Sequence, residues 1–125
     1  MKINTFDIDG VLYFGDEVTG VRPCVNDIII TGRPYHDLDE TRKMLESRDI
    51  YNPVYINPLA KDDKRYGRKA SGIFKAHTIT MLQNMGYEIG MHFEDDPVQI
   101  KEIKKVHPDL YIVHLQREDE EYVTY

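Results

Sequence analysis

Apolar and polar positions along this chain change period repeatedly, and the changes mark out alternating strands and helices. Lys2 to Phe6 is strand-like and runs into Asp7-Ile8-Asp9-Gly10. Asn26 to Thr31 carries three consecutive isoleucines, the continuous β-branched run of a strand covered on both faces. Pro34 to Arg48 reads as a helix, with Asp37, Asp39 and Glu40 near its start and Arg42, Lys43 and Arg48 later, the order the helix dipole favours. Val54-Tyr55-Ile56, between two prolines, predicts a short strand. Ser71 is the expected N-cap of a helix ending at Gly86, with Phe74, His77, Met81 and Met85 as its core stripe. Glu88 to Phe93 predicts a strand, Pro97 to Val106 a helix and Tyr111 to Leu115 a last strand, before an acidic tail, Glu118 to Glu121, expected to fray. Strands separated by helices need crossover connections, so the expectation is an α/β fold with a mainly parallel sheet and helices on both faces.

Composition narrows the class. The chain has 125 residues, 41% hydrophobic and 30% charged, which suits one domain spanning 1–125 and neither a disordered chain nor a membrane protein. No apolar run approaches the roughly 20 residues a bilayer span needs, and no basic-then-apolar leader follows Met1. One cysteine, Cys24, excludes an internal disulfide and a cysteine-built zinc site, and is expected to be buried or partly buried. A soluble cytoplasmic protein is expected. The net charge of −6 argues against binding duplex DNA over the whole surface. Residues 61–75 nevertheless carry a local net +4 (Lys61, Lys64, Arg65, Arg68, Lys69 and Lys75 against Asp62 and Asp63), able to attract an anion locally.

In parallel sheets, ligands sit at the carboxyl ends of the strands, and there the candidate chemistry gathers. Asp7 and Asp9 flank a turn that Gly10 permits. Thr31-Gly32-Arg33, read as lying just before a helix N-terminus, offers a hydroxyl and free N–H groups to a phosphate. Glu94-Asp95-Asp96-Pro97 supplies carboxylates, a donor set that suits Mg²⁺. Asp96 before Pro97 has the form of a helix N-cap, so the metal is assigned to Asp95, with Glu94 ranked behind it. Carboxylates, a hydroxyl and a lysine are what phosphoryl transfer requires.

The strings F-D-I-D-G-V, I-I-I-T-G-R, S-G-I-F-K-A and H-F-E-D-D-P resemble, in order, the four motifs of the haloacid dehalogenase-like superfamily, from Phe6 to Pro97. The resemblance implies a Rossmann-like three-layer sandwich of about five strands in the order 5-4-1-2-3. It implies Asp7 as the nucleophile that forms an aspartyl-phosphate and Asp9 as the acid and base. Thr31 and Lys75 would hold the phosphoryl oxygens, with Gly32 and Arg33 beside them. Mg²⁺ would be held by the Asp7 carboxylate, the Asp9 backbone carbonyl and Asp95. Lys69 competes with Lys75, but Lys75 lies inside the predicted helix, where the family places its lysine. None of the five histidines (His36, His77, His92, His107, His114) has metal spacing, and none is assigned to the site. Tyr13, Phe14 and Tyr66 lie near the site loops as candidate stacking surfaces.

Two departures from the family follow from shortness. Only Val11 to Asp27 separates the first two motifs; a flap around Leu12 to Val18 leaves room for at most a turn of helix, and a cap domain has no room. The expectations are an open site, a large substrate (a nucleotide or the phosphorylated end of a nucleic acid), and a homodimer covering the sheet face left bare. A receiver-type signalling domain is rejected, because the third strand ends Tyr55-Ile56-Asn57-Pro58 without an aspartate. A metal- and phosphate-binding regulatory module without turnover is the alternative.

Overall fold

A computed structural model of the chain describes residues 1–14 and 20–116. The acidic tail at 118–121 and most of the expected flap lie outside the described residues. The strands are β1 (Lys2–Phe6), β2 (Ile28–Pro34), β3 (Val54–Asn57), β4 (Glu88–Glu94) and β5 (Tyr111–His114). The helices are α1 (Leu38–Glu46), preceded by a 3₁₀ turn at Tyr35–Asp37, then α2 (Arg68–Asn84) and α3 (Pro97–Val106). The sheet is parallel throughout, in the order β3-β2-β1-β4-β5, which is the expected order read from the other edge. No helix among the described residues is long and apolar enough to cross a membrane.

Each face of the sheet has its own apolar layer. Ile3, Ile28, Ile30 and Ile89 meet Ala76, Ile79 and Leu82 of α2 and Ile103 of α3. On the other face Phe6, Ile8 and Ile29 meet Leu45 of α1 together with Val11, Leu12 and Ile50. The isoleucine triplet serves both layers, since successive side chains of a strand point to opposite faces. All three isoleucines are buried, at 3%, 0% and 0% exposure, as the unbroken run requires.

Several expectations are corrected. β2 begins at Ile28 and continues to Pro34, so Thr31-Gly32-Arg33 lies within a strand rather than against a helix N-terminus; α1 starts only at Leu38. α2 starts three residues before Ser71, so Ser71 is a buried first-turn residue and not the cap. Of the stripe Phe74, His77, Met81 and Met85, Phe74 packs against the core, but His77 is exposed and Met81 and Met85 are 39% and 59% exposed. The buried side of α2 is Ser71, Gly72, Lys75, Ala76, Thr78, Ile79 and Leu82. Small and polar residues occupy much of that side, so hydrophobic periodicity selects the neighbouring flank instead. Cys24 is exposed, because the loop around it is tied down by its backbone: its N–H donates to Asp27 Oδ2 (2.8 Å) and its carbonyl accepts from Asn52 Nδ2 (2.7 Å).

The sheet region without a helix is surfaced by Lys2, Asn4, Asp27 and Gly90, with Met91 half-buried beside them.

Candidate active site

β1 and β4 lie side by side where the chain order reverses, the place where parallel sheets open a crevice. The Asp7 N–H extends their ladder by donating to the Phe93 carbonyl (3.1 Å), which puts Asp7 next to Glu94 and Asp95. Lys75 reaches this point from the middle of α2 and is fully buried. Its ammonium lies 3.0 Å from Asp7 Oδ1 and 2.7 Å from Glu94 Oε1. Burial alone would drive Lys75 towards neutrality, but the two carboxylates outweigh it and hold the ammonium above the ordinary lysine range. Burial and then the charge of Glu94 raise Asp7 well above the usual carboxylate range, with Lys75 opposing them. Glu94 goes the other way: burial raises it, but Lys75 and His92 together bring it below the usual range. The stable charge pair is therefore Lys75–Glu94, and of the two carboxyls on Lys75 it is Asp7 that holds a proton more readily.

Asp7, Glu94 and Asp95 each offer an oxygen within 4.8 Å of the others. This oxygen-only set fits Mg²⁺, whose octahedron of about 2.1 Å bonds spaces ligand oxygens by a few ångströms. A second fit lies at Gly10. Its φ is +81°, and a Cβ there would fall 2.0 Å from Asp95 Oδ2, so only glycine lets that carboxylate into the crevice. Glu94 is already spent: Oε1 accepts from Lys75 and meets His92 Nε2 (3.2 Å), and Oε2 accepts from the N–H groups of Asp95 (3.3 Å) and Asp96 (3.4 Å). Asp7 and Asp95 are the carboxylates suited to the ion.

Asp9 is buried nearby, but its carboxylate is outside this group. Arg33 grips it with two hydrogen bonds, Nε to Oδ2 at 2.9 Å and Nη2 to Oδ1 at 2.7 Å, while Nη1 donates to Thr41 Oγ1 of α1 (3.2 Å). Arg33 thus pairs with Asp9 and ties it to α1 through Thr41. The pair engages the Asp9 carboxylate and not its backbone carbonyl, the atom assigned to the cation. Thr31 is fully buried, and its Oγ1 accepts from the Arg33 N–H (3.1 Å). The Gly32 carbonyl accepts from Tyr66 Oη (3.1 Å) and Asn57 Nδ2 (3.4 Å), so Tyr66 anchors the strand end by its hydroxyl. Tyr13 stacks under Arg48 and Arg33, whose guanidinium carbons lie 4.6 and 5.7 Å from its ring centre.

Asp96 has the capping role its place before Pro97 predicts. Its carboxylate accepts from the Val98 N–H at 2.9 Å, from Gln99 Nε2 at 3.2 Å and from both arms of Arg68. The +4 segment is accordingly dispersed: Lys75 is buried in the site, Arg68 is on Asp96, and Arg65 is on Asp63. Asp63 falls to about 2 through its hydrogen bonds from Arg65. Lys61, Lys64 and Lys69 stay exposed.

Sequence reasoning missed His92 and His114. His92 is fully buried, with Nδ1 2.7 Å from Thr5 Oγ1 and Nε2 on Glu94, and burial pushes its imidazole down. His114 Nε2 lies 3.2 Å from the Asp95 carbonyl. The only signal available was that His92 and Glu94 are two apart in a strand and so share a face. A groove of about 590 Å³, lined by Pro58, Leu59, Lys69, Ile73, Phe74 and His77, lies on the outer flank of α2. It adjoins the site through Asn57, which bonds Gly32. No family model, curated protein or solved structure matches this chain.

Proposed function

We propose that the chain is a Mg²⁺-dependent phosphatase that hydrolyses a phosphomonoester through an aspartyl-phosphate on Asp7, of the haloacid dehalogenase-like type its four motifs resemble. One observation carries the reading: a fully buried lysine ammonium stands 3.0 Å from Asp7 Oδ1, among the carboxylates of Glu94 and Asp95, in the crevice of a parallel sheet. Burying four ionisable groups together is costly to folding, and groups perturbed in this way gather at functional sites.

Asp7, Asp95 and the Asp9 carbonyl would hold Mg²⁺, which would supply charge neutralisation on the phosphoryl oxygens. Lys75 adds a fixed positive charge on the same side, and Thr31 and the strand end at Gly32 hold the group in line. An Asp7 oxygen attacks phosphorus as the bond to the leaving oxygen breaks, and that oxygen takes its proton from Asp9. Water then attacks the phosphorus of the aspartyl-phosphate while Asp9 takes its proton, returning Asp7 and inorganic phosphate. For either transfer the Asp9 carboxylate leaves Arg33, which then faces the incoming phosphate. The leading substrate class is a nucleotide or a nucleic-acid end phosphate, contacted by Lys61, Lys64 and Lys69.

The test is release of phosphate from an aryl phosphate with Mg²⁺, followed by a panel of mononucleotides, 3′- and 5′-phosphorylated oligonucleotides, sugar phosphates and phosphoproteins. Turnover that disappears in Asp7→Asn is expected, and turnover that survives it overturns the assignment of the nucleophile. The two-armed grip of Arg33 on Asp9 favours a second reading, a module that binds metal and phosphate without turnover. Mg²⁺ binding with no hydrolysis across the panel would select that reading.

A further inference from the structure

The pairing of β4 with β1 contains one irregularity. Lys2 and Ile3 face Glu88 and Ile89, but Thr5 and Phe6 face His92 and Phe93, so β4 carries one residue more than β1 between these pairs. This is a β-bulge. Its consequence follows from the two-residue period of a strand: a one-residue shift moves every later side chain to the opposite face. Without the extra residue, Thr5 would oppose Met91, and His92 and Glu94 would point at the α1 side of the sheet. With it, both point at α2, where Lys75 is.

The bulge is held by dedicated residues. The Met91 N–H donates to Asn4 Oδ1 (3.0 Å), and the Asn4 N–H donates to Asp27 Oδ1 (2.9 Å). Gly90 leaves room for this, since a Cβ there would lie 2.9 Å from Asn4 Oδ1. The polar patch that replaces a helix on this face is therefore the support of the bulge.

We propose that the bulge, with Thr5 and His92, is the positioning device of the site: the bulge turns His92 and Glu94 onto the α2 face, and the Thr5–His92 pair fixes the Glu94 carboxylate so that it holds the Lys75 ammonium on Asp7. Both ring nitrogens of His92 are engaged, and the far one leads through Glu94 Oε1 to Lys75 Nζ at 2.7 Å and on to Asp7 at 3.0 Å. Thr5 and His92 touch neither the ion nor the substrate. They act through Glu94 on Lys75 and Asp7, and a small misplacement of reacting groups can cost on the order of 100-fold in rate.

The effect on catalysis rests on the phosphatase reading, so the test has an arm that does not. Thr5→Val keeps shape and removes the hydroxyl, and Thr5→Ser restores it. In ¹H–¹⁵N spectra of the ring nitrogens, Thr5→Val is expected to move the His92 signals and Thr5→Ser to return them. On an aryl phosphate, Thr5→Val should lower kcat about tenfold at unchanged KM, with Thr5→Ser recovering most of it. Mg²⁺ affinity by titration calorimetry should stay within about twofold, because Glu94 is not assigned to the ion. Unmoved His92 signals, or a Thr5→Val protein that loses melting temperature but keeps wild-type kcat, overturns the proposal. If the wild type hydrolyses nothing, the phosphatase reading fails and the spectra alone decide this one. If Thr5→Val does not fold, Asn4→Ala, which loosens the bulge from its outer side, must move the same His92 signals or the proposal falls.

Discussion

Asp7 shows how much the site costs at the level of one residue. Its carboxyl is raised above its unfolded value, so the folded state binds the proton more tightly than the unfolded state, and stability falls as pH rises through that range. Asp7→Asn removes the penalty. Its melting temperature, measured without metal, should exceed the wild type at pH 7 to 8, and the difference should shrink towards pH 4. Gly10 makes the opposite case. Gly10→Ala forces a side chain into a left-handed backbone, at about 1–2 kcal/mol. It also sets a methyl against Asp95, so weaker Mg²⁺ binding should accompany the lost stability in a calorimetric titration. The Asp–x–Asp–Gly string and the lysine were legible in sequence because they are local or stand at a spacing known from a family. The partners of Asp9 and Glu94 were not. Arg33 and His92 are ordinary polar residues until tertiary structure places them 2.7–2.9 and 3.2 Å from those carboxylates.

At the scale of elements, close approach of α2 and α3 decides which residues can be tolerated. A Cβ on Gly72 would lie 2.9 Å from both Gln99 Cα and Glu102 Cβ, and backbone cannot step aside as a flexible side chain can. Gly72→Ala gains about 1 kcal/mol of helix propensity, yet it should lower the urea midpoint. Asp96→Ala loses the cap of α3, about 1 kcal/mol, and the ion pair with Arg68. It should destabilise the fold while leaving Mg²⁺ affinity intact, in contrast to Asp95→Asn, and chemical denaturation beside metal titration separates the two. Helix and strand existence was legible throughout, since each apolar run is long enough to need one partner layer. The orientation of α2 was not, because its buried side holds Ser71, Gly72, Lys75 and Thr78. The bulge in β4 was signalled only by Gly90 in the middle of E-I-G-M-H-F-E, a glycine that marks a bulge or a close approach without saying which.

At the scale of the whole molecule, the site depends on segments far apart in the chain, and Lys75 ties them together. Lys75→Met leaves Asp7 and Glu94 buried without their cation, a break that costs about 3–5 kcal/mol in buried pairs. The loss should be largest at neutral pH and smaller in acid, where Asp7 is protonated, as a pH series of denaturation midpoints would show. β1 lies between β2 and β4 in the sheet, and β4 follows α2 in the chain. Until β4 docks, the Lys75 ammonium has Asp7 alone and no route out of water that is not uphill. Sealing the core over Lys75 is thus coupled to bringing Glu94 beside it, so the two halves of the sheet close together or not at all.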